Sequence, residues 1–163
     1  MSIVRDKLGI DINIPSHAWD LFIFAGWAGI VLFAAISAAI PASEWMEVRS
    51  VHVEDSVAGA NPQMQVDRTI KSDFVGNWLV EVERDYGAGF GLFCSARGEA
   101  AYRQDAVLPT PLYLDWWTYP VKCILPAGRY RVETTWTISP ELVPTKTVRS
   151  LSNVFNVTDP VDG

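Results

Sequence analysis

Phe74-Val75-Gly76-Asn77-Trp78-Leu79-Val80-Glu81-Val82-Glu83-Arg84 sets Trp78, Val80 and Val82 on one side of an extended chain and Glu81 and Glu83 on the other. A period of two is the mark of a strand with one face buried. The same period continues in both directions. Toward the C-terminus, a turn through Tyr86-Gly87-Ala88-Gly89 leads to Phe90, Leu92 and Cys94 on one face of a further strand. Toward the N-terminus, Gln65 to Lys71 forms another. Met46 to Val53 alternates with a phase slip between Val48 and Val51, which predicts a bulge near Arg49 and Ser50. Ser56 to Pro62, rich in Ala and Gly, reads as a loop. Shorter strands are expected at Pro109 to Asp115 and Val121 to Leu125, longer ones at Arg129 to Ile138 and Thr147 to Val157. No helical period occurs after residue 45. About seven short strands with turns roughly every 8 to 12 residues predict a mainly β, antiparallel sandwich, and the want of crossover helices excludes a parallel α/β fold.

Upstream the pattern changes. From Leu21 the chain reads LFIFAGWAGIVLFAAISAAIPA, 22 residues without a charge. As a helix it spans roughly 33 Å, enough to cross a hydrocarbon core of about 30 Å. Trp19 and Trp45 bracket it where indole rings favour the membrane interface. Ser16 after Pro15 suits an N-cap, Asp20 in the first turn suits the positive helix end, and Pro41 discourages continuation past Ile40. A buried globular helix would carry a polar face, and none of these positions supplies one. A cleaved signal peptide is the other alternative, since Ser37-Ala38-Ala39 has the small-x-small form of a cleavage site. Against it, the apolar run exceeds the roughly 7 to 15 residues of a signal core, and three acids precede it. The chain therefore divides into an N-terminal segment, residues 1–16, a transmembrane helix, residues 17–42, and a β domain, residues 43–163. Arg5 and Lys7 precede the helix and only Arg49 follows closely, so the positive-inside bias sets the N-terminus in the cytoplasm and the domain outside it. Ala25 with Gly29, Ala34 with Ala38 and Ala35 with Ala39 have small-xxx-small spacing, a route to homo-oligomers through the helix or simply common membrane composition.

The net charge of −6 divides into −1 before the apolar run and −5 after it. No basic stripe exists to neutralise phosphates, which disfavours nucleic acid as a partner. Cys94 and Cys123 both lie in the domain read as exported, so a disulfide is expected there. With 28 residues between them, the chain-entropy model gives about 3.5 kcal/mol of stabilisation. A reactive thiol at Cys94 lacks a base, because the two histidines are His17 and His52. The cysteines and histidines have no zinc spacing, and Gly87-Ala88-Gly89-Phe90-Gly91 lies between strands, so it reads as a hairpin turn rather than a phosphate loop. Glu54-Asp55 and Glu81 with Glu83 read as solvated surface acids, and Asp159 with Asp162 as a frayed tail rather than a calcium site. No catalytic residue, metal or cofactor is expected.

Leu125-Pro126-Ala127-Gly128-Arg129-Tyr130-Arg131-Val132 resembles the tyrosine corner of immunoglobulin-like and fibronectin type III-like sandwiches. Ser152-Asn153-Val154-Phe155-Asn156-Val157 looks like their closing strand, and Trp78 falls where a core Trp often lies. The resemblance covers about 110 residues and implies an Ig-like sandwich of about seven strands. It departs from antibody-type domains at Val132, where those carry Cys. It implies no activity. The layout of anchor plus sandwich also resembles small envelope proteins of bacteria and their phages.

One segment points to a contact surface. Leu112-Tyr113-Leu114-Asp115-Trp116-Trp117-Thr118-Tyr119-Pro120 holds four aromatics, and on a regular strand Trp116 and Trp117 cannot share a buried face. Either a kink tucks both rings into an edge of the sandwich or they cover the disulfide near Cys123, or exposed rings serve a protein interface, a sugar platform or contact with the membrane surface. The candidate binding residues are Tyr113, Asp115, Trp116, Trp117 and Tyr119. The expected role is a non-enzymatic, membrane-anchored structural or binding component of an envelope or membrane-bound assembly, with the lipid bilayer and other envelope proteins as partners. The alternative is a carbohydrate- or cell-wall-binding module.

Overall fold

A computed structural model describes residues 16–104, 106–119, 121–141 and 143–160. The segment 1–15, with Arg5 and Lys7, and Pro120 and Asp162 lie outside the described residues. The chain forms two compact units, divided after Ala39.

The first unit holds helix α1, Ser16–Ala39. It is long and apolar enough to cross a membrane, and equally has the form of a signal sequence. It ends two residues before Pro41, three short of the expected boundary at residue 42. Its first turn holds no acid, so Asp20 sits one residue past the position read for it. Trp45, expected at a membrane interface, is partly buried against the core of the β domain, and its carbonyl accepts from the Lys71 N–H at 2.8 Å.

The second unit is a sandwich-like β domain of two sheets. One sheet joins β1, Met46–Val53, to β3, Gln63–Ile70, and β3 to β6, Leu112–Tyr113, all antiparallel. The register of β1 slips between Val48 and Ser50, the bulge that the phase slip predicts. The other sheet runs β2, Ser56–Val57; β9, Phe155–Thr158; β7, Gly128–Ile138; β4, Phe74–Asp85; and β5, Phe90–Tyr102. Strand β8, Lys146–Leu151, pairs with β7 beyond β9. The pair β2–β9 is parallel, and it falls in the segment expected to be a loop.

The central strands follow the two-residue period. On β7, Tyr130, Val132, Thr134, Trp136 and Ile138 point inward, and Val80 and Val82 of β4 meet them in one core with Met46, Val53, Met64 and Phe155. Between β4 and β5, Gly87 and Gly89 take φ of 85° and 134°, which glycine adopts without a Cβ clash, and the Tyr86 N–H donates to the Gly89 carbonyl. Strand β5 departs from the expected phase. Val82 pairs with Cys94 but Glu83 pairs with Leu92, leaving Phe93 as an extra residue. The bulge turns Phe93 inward, its ring edge-on to Tyr130 at 5.6 Å, while Leu92 is exposed and Phe90 lies under the Arg131 guanidinium at 4.4 Å.

The expected strand Thr147 to Val157 is two strands, because Ser152 interrupts the ladder. Its hydroxyl accepts from the Val132 N–H at 2.8 Å, while its own N–H donates to the Val132 carbonyl at 2.9 Å. The Asn153 amide then reaches the opposite sheet: its Oδ1 accepts from the Val53 N–H at 2.8 Å and its Nδ2 donates to the Val53 carbonyl at 2.9 Å. Two residues on, Asp55 accepts from the Asn156 N–H at 2.7 Å.

Asn153→Ala strips both partners from the Val53 peptide and should lower stability by roughly 2–3 kcal/mol in urea denaturation. The Asn156 backbone N–H, seconded by its side chain, holds the Asp55 carboxyl below its ordinary range. A carboxyl depressed in the folded state contributes stability that is complete above its unfolded pKa of about 3.9 and is lost as pH falls through the lower folded value. Stability should therefore fall less steeply below about pH 4 in Asp55→Asn than in wild type. Identical slopes would remove Asp55 from the acid response.

Candidate functional site

Between β5 and β7 the chain makes a long connection, residues 103–127, that carries every candidate binding residue. The expected strand Pro109 to Asp115 is realised only as β6. Helix α2, Leu114–Thr118, follows it, and Val121 to Leu125 forms no strand. The helix forms because its apolar pattern is helical once it is read from Leu114: Leu114, Trp117 and Thr118 are buried, whereas Asp115 and Trp116 face out. Its start is satisfied from outside, with the Leu114 N–H donating to the Pro62 carbonyl and the Asp115 N–H to Asn61 Oδ1. The Thr118 hydroxyl closes it by donating to the Leu114 carbonyl at 3.3 Å.

This helix separates the two tryptophans. Trp117 is buried and meets Trp136 edge-to-face at 5.8 Å, whereas Trp116 is 49% exposed. Tyr113 is 40% and Tyr119 70% exposed, and Val107, Val121 and Ile124 of the same connection are exposed as well. The structure thus places Tyr113, Asp115, Trp116 and Tyr119 on the surface and Trp117 in the core.

Two links fix the connection to the sandwich. Cys123 is disulfide-bonded to Cys94 of β5, with Cα atoms 6.2 Å apart. Beyond it Leu125 is buried, and the Tyr130 hydroxyl donates to the Pro126 carbonyl at 2.8 Å. Burial pushes the Tyr130 phenol above its ordinary pKa, so it remains a donor.

A cavity of about 330 Å³ lies under the connection. Ala106 to Pro109, Trp116 and Trp117 form one wall, and Trp78, Val80, Thr134 and Trp136 form the other. Gly98 makes room for Trp78, since a Cβ there would stand 2.8 Å from the indole. Arg68 of β3 also lines the cavity, its guanidinium 5.6 Å from the centre of the Tyr102 ring. Burial holds the Arg68 pKa below its ordinary value and raises that of Tyr102. On the outer face of the six-stranded sheet, Asn77, Leu79, Arg97, Glu99, Thr135 and Thr137 line a second, shallow hollow of about 650 Å³. Among the described residues, no three His, Cys, Asp or Glu side chains converge as metal ligands would.

Sequence reasoning identified the aromatic run but not the cavity, whose polar members, Arg68 and Thr134, stand on separate strands and form no motif. The helical spacing Leu114, Trp117, Thr118 was the available signal for α2. No family model matches the chain, and no curated protein or solved structure matches it.

Substitution should separate the two indoles. Trp117→Ala is expected to cost about 3–5 kcal/mol of stability, and Trp116→Ala about 0.5 kcal/mol or less, both measured by urea denaturation.

Proposed function

We propose that the protein is a membrane-anchored, non-enzymatic Ig-like domain that docks on another envelope protein through the exposed side chains of the β5–β7 connection. The strand pairing supports the Ig-like reading: β1, β3 and β6 correspond to strands A, B and E, and β5, β4, β7 and β8–β9 to C′, C, F and G. The Tyr130 bond to Pro126 has the form of the tyrosine corner that accompanies that arrangement. With no activity implied by the fold, the role rests on its surface.

The observation that carries the docking reading is the concentration of Tyr113, Trp116, Tyr119, Val121 and Ile124 on one connection tied down by a disulfide. Aromatic side chains on a pre-fixed segment gain contact area at small entropic cost, as interface anchors do. The disulfide supports a location outside the cytoplasm, where thiols oxidise. The apolar helix then acts as the anchor, with the N-terminus inside and self-association open to its small-residue ridges. A carbohydrate-binding role is the second reading, favoured by exposed Trp116 beside the Asp115 carboxylate.

A photo-crosslinking residue at Tyr119 should yield a discrete adduct with one envelope protein in intact cells, whereas the same residue at Val75, exposed on β4, should not. An impermeant thiol reagent admitted past the outer layer alone should label Cys94 and Cys123 only after reduction. Labelling that needs rupture of the inner membrane and no reductant would reverse the topology. Loss of glycan retention in Trp116→Ala, with folding intact, would favour the carbohydrate reading.

A further inference from the structure

The cavity beneath the connection has the composition of a ligand site rather than of a packing gap. Empty apolar voids in cores are lined by hydrocarbon alone. This one holds an arginine and an orphaned hydroxyl. Thr134 is 1% exposed, and its Oγ1 has no hydrogen-bond partner among the described residues. A buried polar atom in that state costs free energy that a bound polar group would recover. Arg68 has no carboxylate within ion-pair distance among the described residues, and its guanidinium lies over the neutral ring of Tyr102. The remaining surface is aromatic and aliphatic, and the volume of about 330 Å³ falls at the small end of the roughly 300–1,000 Å³ range of ligand pockets.

The position of each group orders the site. Val107 and Trp116 are exposed and mark the mouth; Val80, Thr134 and Trp136 are buried and mark the floor. Arg68, half-buried, is the one charged side chain among the described residues of the lining. Its planar fork matches a carboxylate, and a single cation among apolar walls suits a single negative charge.

We propose that this cavity binds a small aromatic monocarboxylate whose carboxylate pairs with Arg68, whose ring lies among the indoles, and whose far end carries a polar group that meets the Thr134 hydroxyl. Trp116 belongs to both the mouth and the proposed docking surface, but the test below turns on Arg68 and Thr134, which the docking reading does not use, so either reading can fail without the other.

The test uses the full chain in nanodiscs of zwitterionic lipid, with 4-hydroxyphenylacetate as probe and the indole N–H signals of Trp117 and Trp136 followed by NMR. Saturable shifts of both signals are expected. Neutral 4-hydroxyphenylethanol should bind at least about tenfold more weakly, and Arg68→Met should remove that preference. Thr134→Val should weaken 4-hydroxyphenylacetate about threefold or more and leave phenylacetate, which lacks the far hydroxyl, unchanged. An unshifted amide signal of Val53, which is held by Asn153 and lies outside the cavity lining, reports in the free variants that each is folded. Absence of saturation, or equal binding of acid and alcohol to wild type, would overturn the proposal. Equal loss of both acids in Thr134→Val would remove Thr134 from the site and overturn the two-ended recognition.

Discussion

The side-chain amide of Asn153 holds the sandwich shut at the point where the chain changes sheets. Strand β1 pairs in one sheet and β2, three residues on, in the other. Val53 closes β1, the edge strand of its sheet, where its N–H and C=O point away from β3, and buried backbone groups without partners are costly. Asn153 supplies both, acting on Val53 as a neighbouring strand would. It is free to do so because Ser152 substitutes its hydroxyl for a backbone acceptor opposite Val132 and swings the next residue across. The short parallel pairing of β2 with β9 and the Asp55 contact to Asn156 follow from that crossing.

Opposite this closure, the sandwich stays open under the β5–β7 connection. A connection of this length would be mobile if untethered, since it has little secondary structure of its own. Here Trp117 plugs the core, the disulfide fixes Cys123 to β5, and the Tyr130 hydroxyl fixes Pro126. The same three anchors that make the segment rigid hold its outer side chains in place and roof the cavity below it. Surface and cavity are two sides of one device.

Much of this was legible from residue order. The period of two at Phe74 to Arg84 and Arg129 to Ile138 places the central strands within a residue, because each is long and turns one face toward the core. The slip at Arg49 located a real bulge for the same reason. The cysteine pair was legible because no other partner existed. What failed was local structure shorter than a period. Helix α2 is five residues long, too short for its helical spacing of Leu114, Trp117 and Thr118 to stand out from strand-like aromatic neighbours, and its first N–H groups find their acceptors on Pro62 and Asn61, far away in sequence. The Phe93 bulge and the Ser152 break each turn on a single residue whose neighbours come from another strand. Arg68 and Thr134 meet at one cavity through folding alone, so no spacing announces them.

The extra residue at Phe93 also bears on how copies of the molecule meet one another. Strand β5 is the longest strand and lies at the end of its sheet, a row of unpaired peptide groups that invites another chain to add itself. A bulge twists that row out of register with any straight strand, and the exposed Arg97 and Glu99 further along set fixed charges against an approaching copy. The irregularity that brings Phe93 into the core thus also guards the domain's long open border against fibre-like association.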